Sequence, residues 1–259
     1  MPILTAANLT KIYGSKRGIH HEALHQFHLS VDKGEFLGIM GPSGSGKTTL
    51  LNLLSTIDTP TSGAVTINQT TVTNLTKNKL ATFRRKETGF IFQDYNLLET
   101  LTVGENIMLP LTLNKWKVKE MTKRLKLVTE QLGIEDITEK RIFEVSGGQL
   151  QRAAIARAII HDPTIIYADE PTGNLDSKAS RQVMESLQFL NQEKKTTTIM
   201  VTHDPFAASF CGRVIFIKDG RMFNEIHKGD NRQRFFQDIL NVQSLLGGNM
   251  DDFHSIRFK

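Results

Sequence analysis

Gly41-Pro42-Ser43-Gly44-Ser45-Gly46-Lys47-Thr48 is the stretch whose reading decides this chain. It sets a glycine, four residues and then Gly-Lys-Thr between a short, mostly apolar run, Glu35–Met40, and a helical pattern. In that pattern Leu50, Leu53, Leu54 and Ile57 recur at i, i+3, i+4 and i+7. Glycines in such a loop let successive backbone N–H groups turn inward around a phosphate, and the helix start adds a favourable dipole. Lys47 can neutralise β- and γ-phosphates, and the Thr48 hydroxyl can ligate magnesium. Gly41, Pro42, Ser43, Gly44, Ser45, Gly46, Lys47, Thr48 and the adjoining Thr49 are therefore candidate nucleotide-binding residues.

Working outward, Asp58-Thr59-Pro60 ends the helix. The first ~33 residues and residues 61–73 read as strands separated by turns, with alternating apolar positions in Phe27-His28-Leu29-Ser30-Val31. Residues 94–160 are mostly helical in pattern, too long for a loop, and read as an inserted subdomain. Its last helix begins at Ser146-Gly147-Gly148-Gln149, which has the spacing of a capping box, and stops at His161-Asp162-Pro163. Ile165-Ile166-Tyr167-Ala168 and Thr198-Ile199-Met200-Val201 are short apolar runs of the kind found in buried parallel strands, with a Ser180–Asn191 helix between them. Arg213–Ile217 and Arg221–Ile226 flank Lys218-Asp219-Gly220, a hairpin signal. Strand–helix alternation predicts an α/β fold with a parallel sheet.

Composition narrows the class. With 39% apolar residues over 259 the chain can bury a core, and its single cysteine, Cys211, excludes an internal disulfide. No leader pattern opens the chain, and runs such as Ile107–Leu113 fall short of the ~18 apolar residues a membrane span needs. These features predict a soluble, cytoplasmic protein. The net charge of +5 permits nucleic acid or anionic lipid without selecting either. Lys115, Lys117, Lys119, Lys123, Arg124 and Lys126 read as a solvated helix face. His20, His21, His25 and His28 do not read as a metal site: no cysteine is near, and His25 and His28 differ in strand parity.

Two further groups carry chemistry. Asp169 ends an apolar run, where its carboxylate can hold magnesium, and Glu170 follows it, able to polarise a water for in-line attack on a γ-phosphate. Two glycines directly after the Ser146 cap cost helix stability by ~1 kcal/mol each, which suggests close approach to something; a phosphate at the helix N-terminus fits.

With these motifs in this order and spacing, the chain resembles the ATP-binding-cassette transporter ATPases. The resemblance implies the P-loop NTPase fold of that family: a mainly parallel β core, an antiparallel β subdomain and an inserted α-helical subdomain at about 94–160. Residues 1–232 would form the nucleotide-binding domain and 233–259 a C-terminal helical tail. It implies ATP and Mg2+ as cofactors. Gly41–Thr48 is then the Walker A loop, Ile165–Asp169 the Walker B strand and Glu170 the catalytic base. Ser146, Gly147, Gly148 and Gln149 match the signature that reaches the ATP of a second subunit. Gln93 matches the Q-loop, a third magnesium ligand beside Thr48 and Asp169. Asp176 matches the D-loop, His203 the switch histidine and Tyr13 the adenine-stacking aromatic. Val145 and Tyr167 depart from the family pattern without removing a reacting group.

The segments Gly89–Leu98 and Ala207–Gly220 are similar to the ATPases of bacitracin-type antimicrobial-peptide resistance transporters, within the macrolide-export and lipoprotein-release branch. The resemblance implies an ATP-sandwich homodimer, an integral membrane permease as partner, and a sensor histidine kinase reached through the permease. It also implies a location on the inner face of the cell membrane, a coupling surface near Tyr95–Glu105 and no nucleic-acid partner. Transporters for lipoproteins or macrolides, and more remotely a soluble cassette acting on DNA or ribosomes, are the alternatives.

Overall fold

The computed structural model describes residues 2–14 and 20–247. In chain order the elements begin with β1 (Pro2–Tyr13), β2 (His21–Asp32), β3 (Phe36–Met40), α1 (Lys47–Leu54), β4 (Ser62–Ile67) and β5 (Thr70–Thr71). Next come α2 (Lys77–Glu87), β6 (Thr88–Ile91), α3 (Val103–Leu113), α4 (Val118–Leu132), α5 (Gly147–Ile159) and β7 (Ile165–Asp169). The chain continues with α6 (Ser177–Lys194), β8 (Thr197–Val201), α7 (Pro205–Ala208), β9 (Arg213–Lys218), β10 (Arg221–His227) and α8 (Arg232–Gly247).

Two sheets result. One has the order β2-β1-β4-β5 and is antiparallel. The other runs β10-β9-β3-β8-β7-β6, parallel throughout except for the β9–β10 hairpin at its edge. That hairpin turns on Asp219 and Gly220, both with positive φ, a turn whose twist matches the strands it joins.

The core is in two parts, one on each face of the parallel sheet. Along β3, Leu37 and Ile39 point into the part beneath the antiparallel sheet and α1, whereas Phe36 and Met40 point to the opposite part. Along β7, Ile165 and Tyr167 take the first side, Ile166 and Ala168 the second. Both faces of each strand are therefore apolar, which is why these strands read as continuous runs rather than alternations. Leu50, Leu51, Leu53 and Leu54 of α1 are all essentially buried; each such side chain is worth about 1.5–3 kcal/mol.

Several expectations change. Ile57 belongs to neither helix nor core: α1 stops at Leu54 and Ile57 is 48% exposed, because Thr56 turns the chain at φ 64. Arg124 is not part of a solvated face; its guanidinium turns inward, donating from Nε to the Ile160 carbonyl at 2.8 Å and pairing with Asp162. The parity reasoning for His25 and His28 fails, since a bulge with Gln26 at φ 41 puts Leu24 and Phe27 on one buried face and turns both histidines away from it. The helix α2 had no sequence signal, having no buried residue. α8 packs Phe235, Ile239, Val242 and Leu246 into the same core part as α5 and α6. The rest of the expected tail, 248–259, lies outside the described residues.

Candidate nucleotide site

The Gly41–Thr48 loop joins the C-terminal end of central β3 to α1, where a parallel sheet opens a crevice for ligands. Gly46 caps α1 at φ 103, and a Cβ there would lie 2.5 Å from the Ala23 carbonyl oxygen, so only glycine fits. Lys47 is 8% exposed and donates to the Pro42 carbonyl at 2.8 Å. Burial lowers the Lys47 pKa, and Glu170 and Asp169 oppose that effect by favouring its charge. Thr48 is exposed, Thr49 is half-buried and the Ser45 hydroxyl is buried with no partner.

Across from the loop, β7 ends in Asp169. Burial raises its pKa and the neighbouring Glu170 adds to the rise, while Thr48 as a hydrogen-bond partner and Lys47 act against it. Its Oδ1 is buried with no partner. A carboxylate oxygen withheld from water and left unpaired beside a threonine hydroxyl and a lysine is costly unless a cation meets it.

Glu170 follows in left-handed backbone, φ 45, with its N–H donating to the Val201 carbonyl at 2.9 Å. Such a conformation costs about 1–3 kcal/mol for a non-glycine residue and gathers at working sites. His203 Nδ1 lies 3.1 Å from Glu170 Oε2, with the histidine side chain 65% and the glutamate 22% exposed. The two border a cavity of about 650 Å³ that also includes Gly173, Lys178, Arg181 and Thr202.

The structure thus brings Lys47, Thr48, Asp169, Glu170 and His203 together with the rest of the Gly41–Thr49 loop, sets Gln93 beside the lining of the same cavity, and places Tyr13, Asp176 and Ser146–Gln149 on other elements. Gln93 sits against Gly173: a Cβ there would be 2.8 Å from Gln93 Nε2, and Asn174 bridges to the Gln93 carbonyl at 3.3 Å and to Asp94 Oδ1 at 3.0 Å. Asp176 caps α6, accepting from the Ala179 N–H at 2.8 Å. Tyr13 is 41% exposed at the end of β1, donating to Asp58 at 2.9 Å with the Lys11 ammonium 4.8 Å from its ring centre.

Ser146 forms the expected capping box with Gln149, at 2.9 and 3.4 Å. The close approach demanded by the two glycines has another source than a phosphate of the same chain. A Cβ on Gly147 would stand 3.0 Å from the Tyr95 hydroxyl and one on Gly148 3.0 Å from Ala179 Cβ. Among the described residues, Ser146–Gln149 makes no hydrogen bond to the Gly41–Thr48 loop or to Glu170.

The ABC transporter family model matches residues 24–173, from β2 to just past Glu170. The chain belongs to the ABC transporter ATPase family. This ATPase is 58% identical over 255 residues to the ABC transporter ATP-binding protein YxdL of Bacillus subtilis, covering 98% of each chain. It is 53% identical over 253 residues to the bacitracin export ATP-binding protein BceA of Halalkalibacterium halodurans, covering 97% of this chain and 100% of that one. Among solved structures it matches the dimeric post-hydrolysis state of the cassette MJ0796 bound to ADP and Pi. There the TM-score is 0.80 and the identity 39%, over 87% of this chain and 99% of that one. The ATPase therefore binds and hydrolyses ATP as a transporter subunit. Among its described residues no helix is long and apolar enough to cross a membrane.

Three features of the ATPase escaped sequence reading. Tyr167, a departure from the usual aliphatic residue, is fully buried and donates to the Leu54 carbonyl at 2.9 Å, satisfying an acceptor at the end of α1. Arg157 donates to the carbonyls of Tyr95, at 2.8 Å, and Asn96, holding two consecutive residues at positive φ shortly after Gln93. Asn106, fully buried in α3, exchanges hydrogen bonds with Leu98 at 2.7 and 3.0 Å. Asn106 carried a signal, a polar residue inside an apolar run, and Tyr167 stood out as a departure, but neither showed its partner.

Proposed function

We propose that this ATPase energises a separate permease in a transporter that confers resistance to, or senses, bacitracin-like antimicrobial peptides. The likeness to the bacitracin export ATP-binding protein carries the reading, because it spans all of that protein rather than the nucleotide motifs alone. Two copies of the chain enclose two ATP molecules, each between the Gly41–Thr48 loop of one copy and the Ser146 helix of the other. The separation of those halves within one chain, and the dimeric state of the MJ0796 cassette, support this arrangement.

Each residue then has a task. Backbone N–H groups of the loop and Lys47 hold the phosphates; a partly dehydrated ammonium loses less hydration on meeting them. The unpaired Asp169 Oδ1 beside Thr48 fits a divalent cation, so Asp169 and Thr48 would hold Mg2+, with Gln93 completing the link to the helical subdomain. Bound there, the cation would supply neutralisation of phosphate charge. Glu170 accepts the proton of the attacking water. His203 holds the glutamate from one side and faces the γ-phosphate from the other. Tyr13 offers its ring to adenine, and Asp176 contributes from the second copy.

ATP favours the closed pair because it binds that state better, and hydrolysis removes the preference. An apolar groove of about 430 Å³, lined by Ile57, Phe90, Phe92, Leu109 and Leu113, meets the segment after Gln93 at Asn96 and suits the permease contact. The chain works in the cytoplasm on the inner face of the membrane, in touch with a sensor histidine kinase through the permease. Capture of the full chain from solubilised membranes should recover a permease with a sizeable extracellular domain, and deleting the chain should raise bacitracin sensitivity. Recovery of a lipoprotein-release permease, with sensitivity unchanged, would overturn the peptide assignment.

A further inference from the structure

His203 stands on a short support. The segment from β8 to β9 that carries it holds only α7, four residues long, too short to be stable by itself. The segment is stiffened locally: Asp204 caps α7 at Phe206 N–H, 2.8 Å, and the Ser209 hydroxyl donates to the Phe206 carbonyl at 2.7 Å. Those bonds keep the turn's shape, and Ala207, Ala208, Phe210 and Cys211 tie its back to the core at 0–3% exposure, with the Arg181 guanidinium 5.7 Å from the Phe206 ring centre.

The exposed side of the segment is attached by α8, which lies beyond the residues 24–173 matched by the family model. At its first residue the Arg232 guanidinium sits 3.6 Å from the Phe210 ring centre and 5.2 Å from that of Phe206, while Nε donates to the Ser209 hydroxyl at 3.0 Å. Phe206 and Phe210 meet edge to face at 5.3 Å, so one cation grips both rings and the hydroxyl between them. Eleven residues further, about 16 Å along the helix, Gln243 Nε2 lies 3.4 Å from the carbonyl oxygen of His203 itself. Between these points Phe235 and Ile239 anchor α8 in the core at 1% and 0% exposure.

We propose that α8 is a positioning strut for His203, with Arg232 and Gln243 as positioning residues at its two attachments. The proposal rests on the reading of His203 as part of the hydrolytic site. The strut holds the loop at both ends so that the exposed imidazole stays against Glu170. Small displacements of a reacting group are expensive in rate, so a loosened strut should slow turnover without weakening ATP capture.

Steady-state ATP hydrolysis by the full chain tests this. Arg232→Ala should lower kcat by about tenfold with KM for ATP within about twofold of the parent. Arg232→Lys, which keeps a cation over the rings and a donor to Ser209, should recover most of the loss. In a His203→Ala background Arg232→Ala should have no further effect, because the group it positions is gone. Gln243→Ala, at the half-buried far end, should lower kcat by roughly two- to threefold and serves as the test should Arg232→Ala not fold. A slow His203→Ala beside full-speed Arg232→Ala and Gln243→Ala overturns the strut alone, as do losses that add to that of His203→Ala. A full-speed His203→Ala overturns the reading of His203 and the strut with it.

Discussion

The two halves of the proposed nucleotide site differ in how their polar groups are satisfied. Around β7 and α1 the groups are under tension: Asp169 Oδ1 and the Ser45 hydroxyl are buried unpaired, Lys47 is partly stripped of water and Glu170 sits in left-handed backbone. At the start of α5 the cap is closed: Ser146 and Gln149 satisfy each other, and the two glycines pack on Tyr95 and Ala179, although the Gln151 amide just behind is buried unpaired. The first half leaves polar groups that a ligand could complete, and the second presents a helix start whose cap is already satisfied. A site that needs both gains its missing groups only when a second surface and a nucleotide arrive, which couples hydrolysis to association.

Replacing Glu170 by Gln makes the largest break in this contrast. Turnover should fall by about 10²–10⁴ while ATP is still bound, and the chain should accumulate as an ATP-dependent dimer visible by size-exclusion chromatography with light scattering. Full-speed hydrolysis by this variant would remove Glu170 from the mechanism.

Asp169→Asn probes the tension itself. Because the carboxyl pKa is raised in the fold, chiefly by burial, the ionised form is held at a cost. The sign follows: this group's contribution to stability is greatest below its unfolded pKa and is lost as pH rises through the folded value. At neutral pH the nucleotide-free variant should therefore melt higher, by roughly 2–4 °C, yet hydrolyse ATP poorly. A gain that persists unchanged below the unfolded carboxyl pKa, where the group is protonated in both states, would assign it to something other than charge.

Ser146→Ala should be the mildest. It removes a cap worth about 1 kcal/mol from the isolated chain, a small shift in a melting curve. Its sharper effect should be on ATP-driven dimer formation in the Glu170→Gln background, measured as the protein concentration needed for half association. If association is untouched, the α5 start is a structural cap and does not meet a nucleotide.

The sequence by itself determined much of this. A glycine loop before Lys47, an apolar run ending in Asp169-Glu170 and a Ser-x-x-Gln cap are local patterns, set by backbone geometry and helix-end chemistry within a few residues. They foretold the loop, β7 and the α5 start, and motif order supplied the family. Tertiary structure alone decided what depends on distant neighbours: that Tyr167 serves the carbonyl of Leu54, that Arg124 leaves its basic face for Ile160, and that α8 reaches the His203 loop. Spacing could not show these, because each joins residues 36 to 113 apart whose meeting is settled by sheet order and packing.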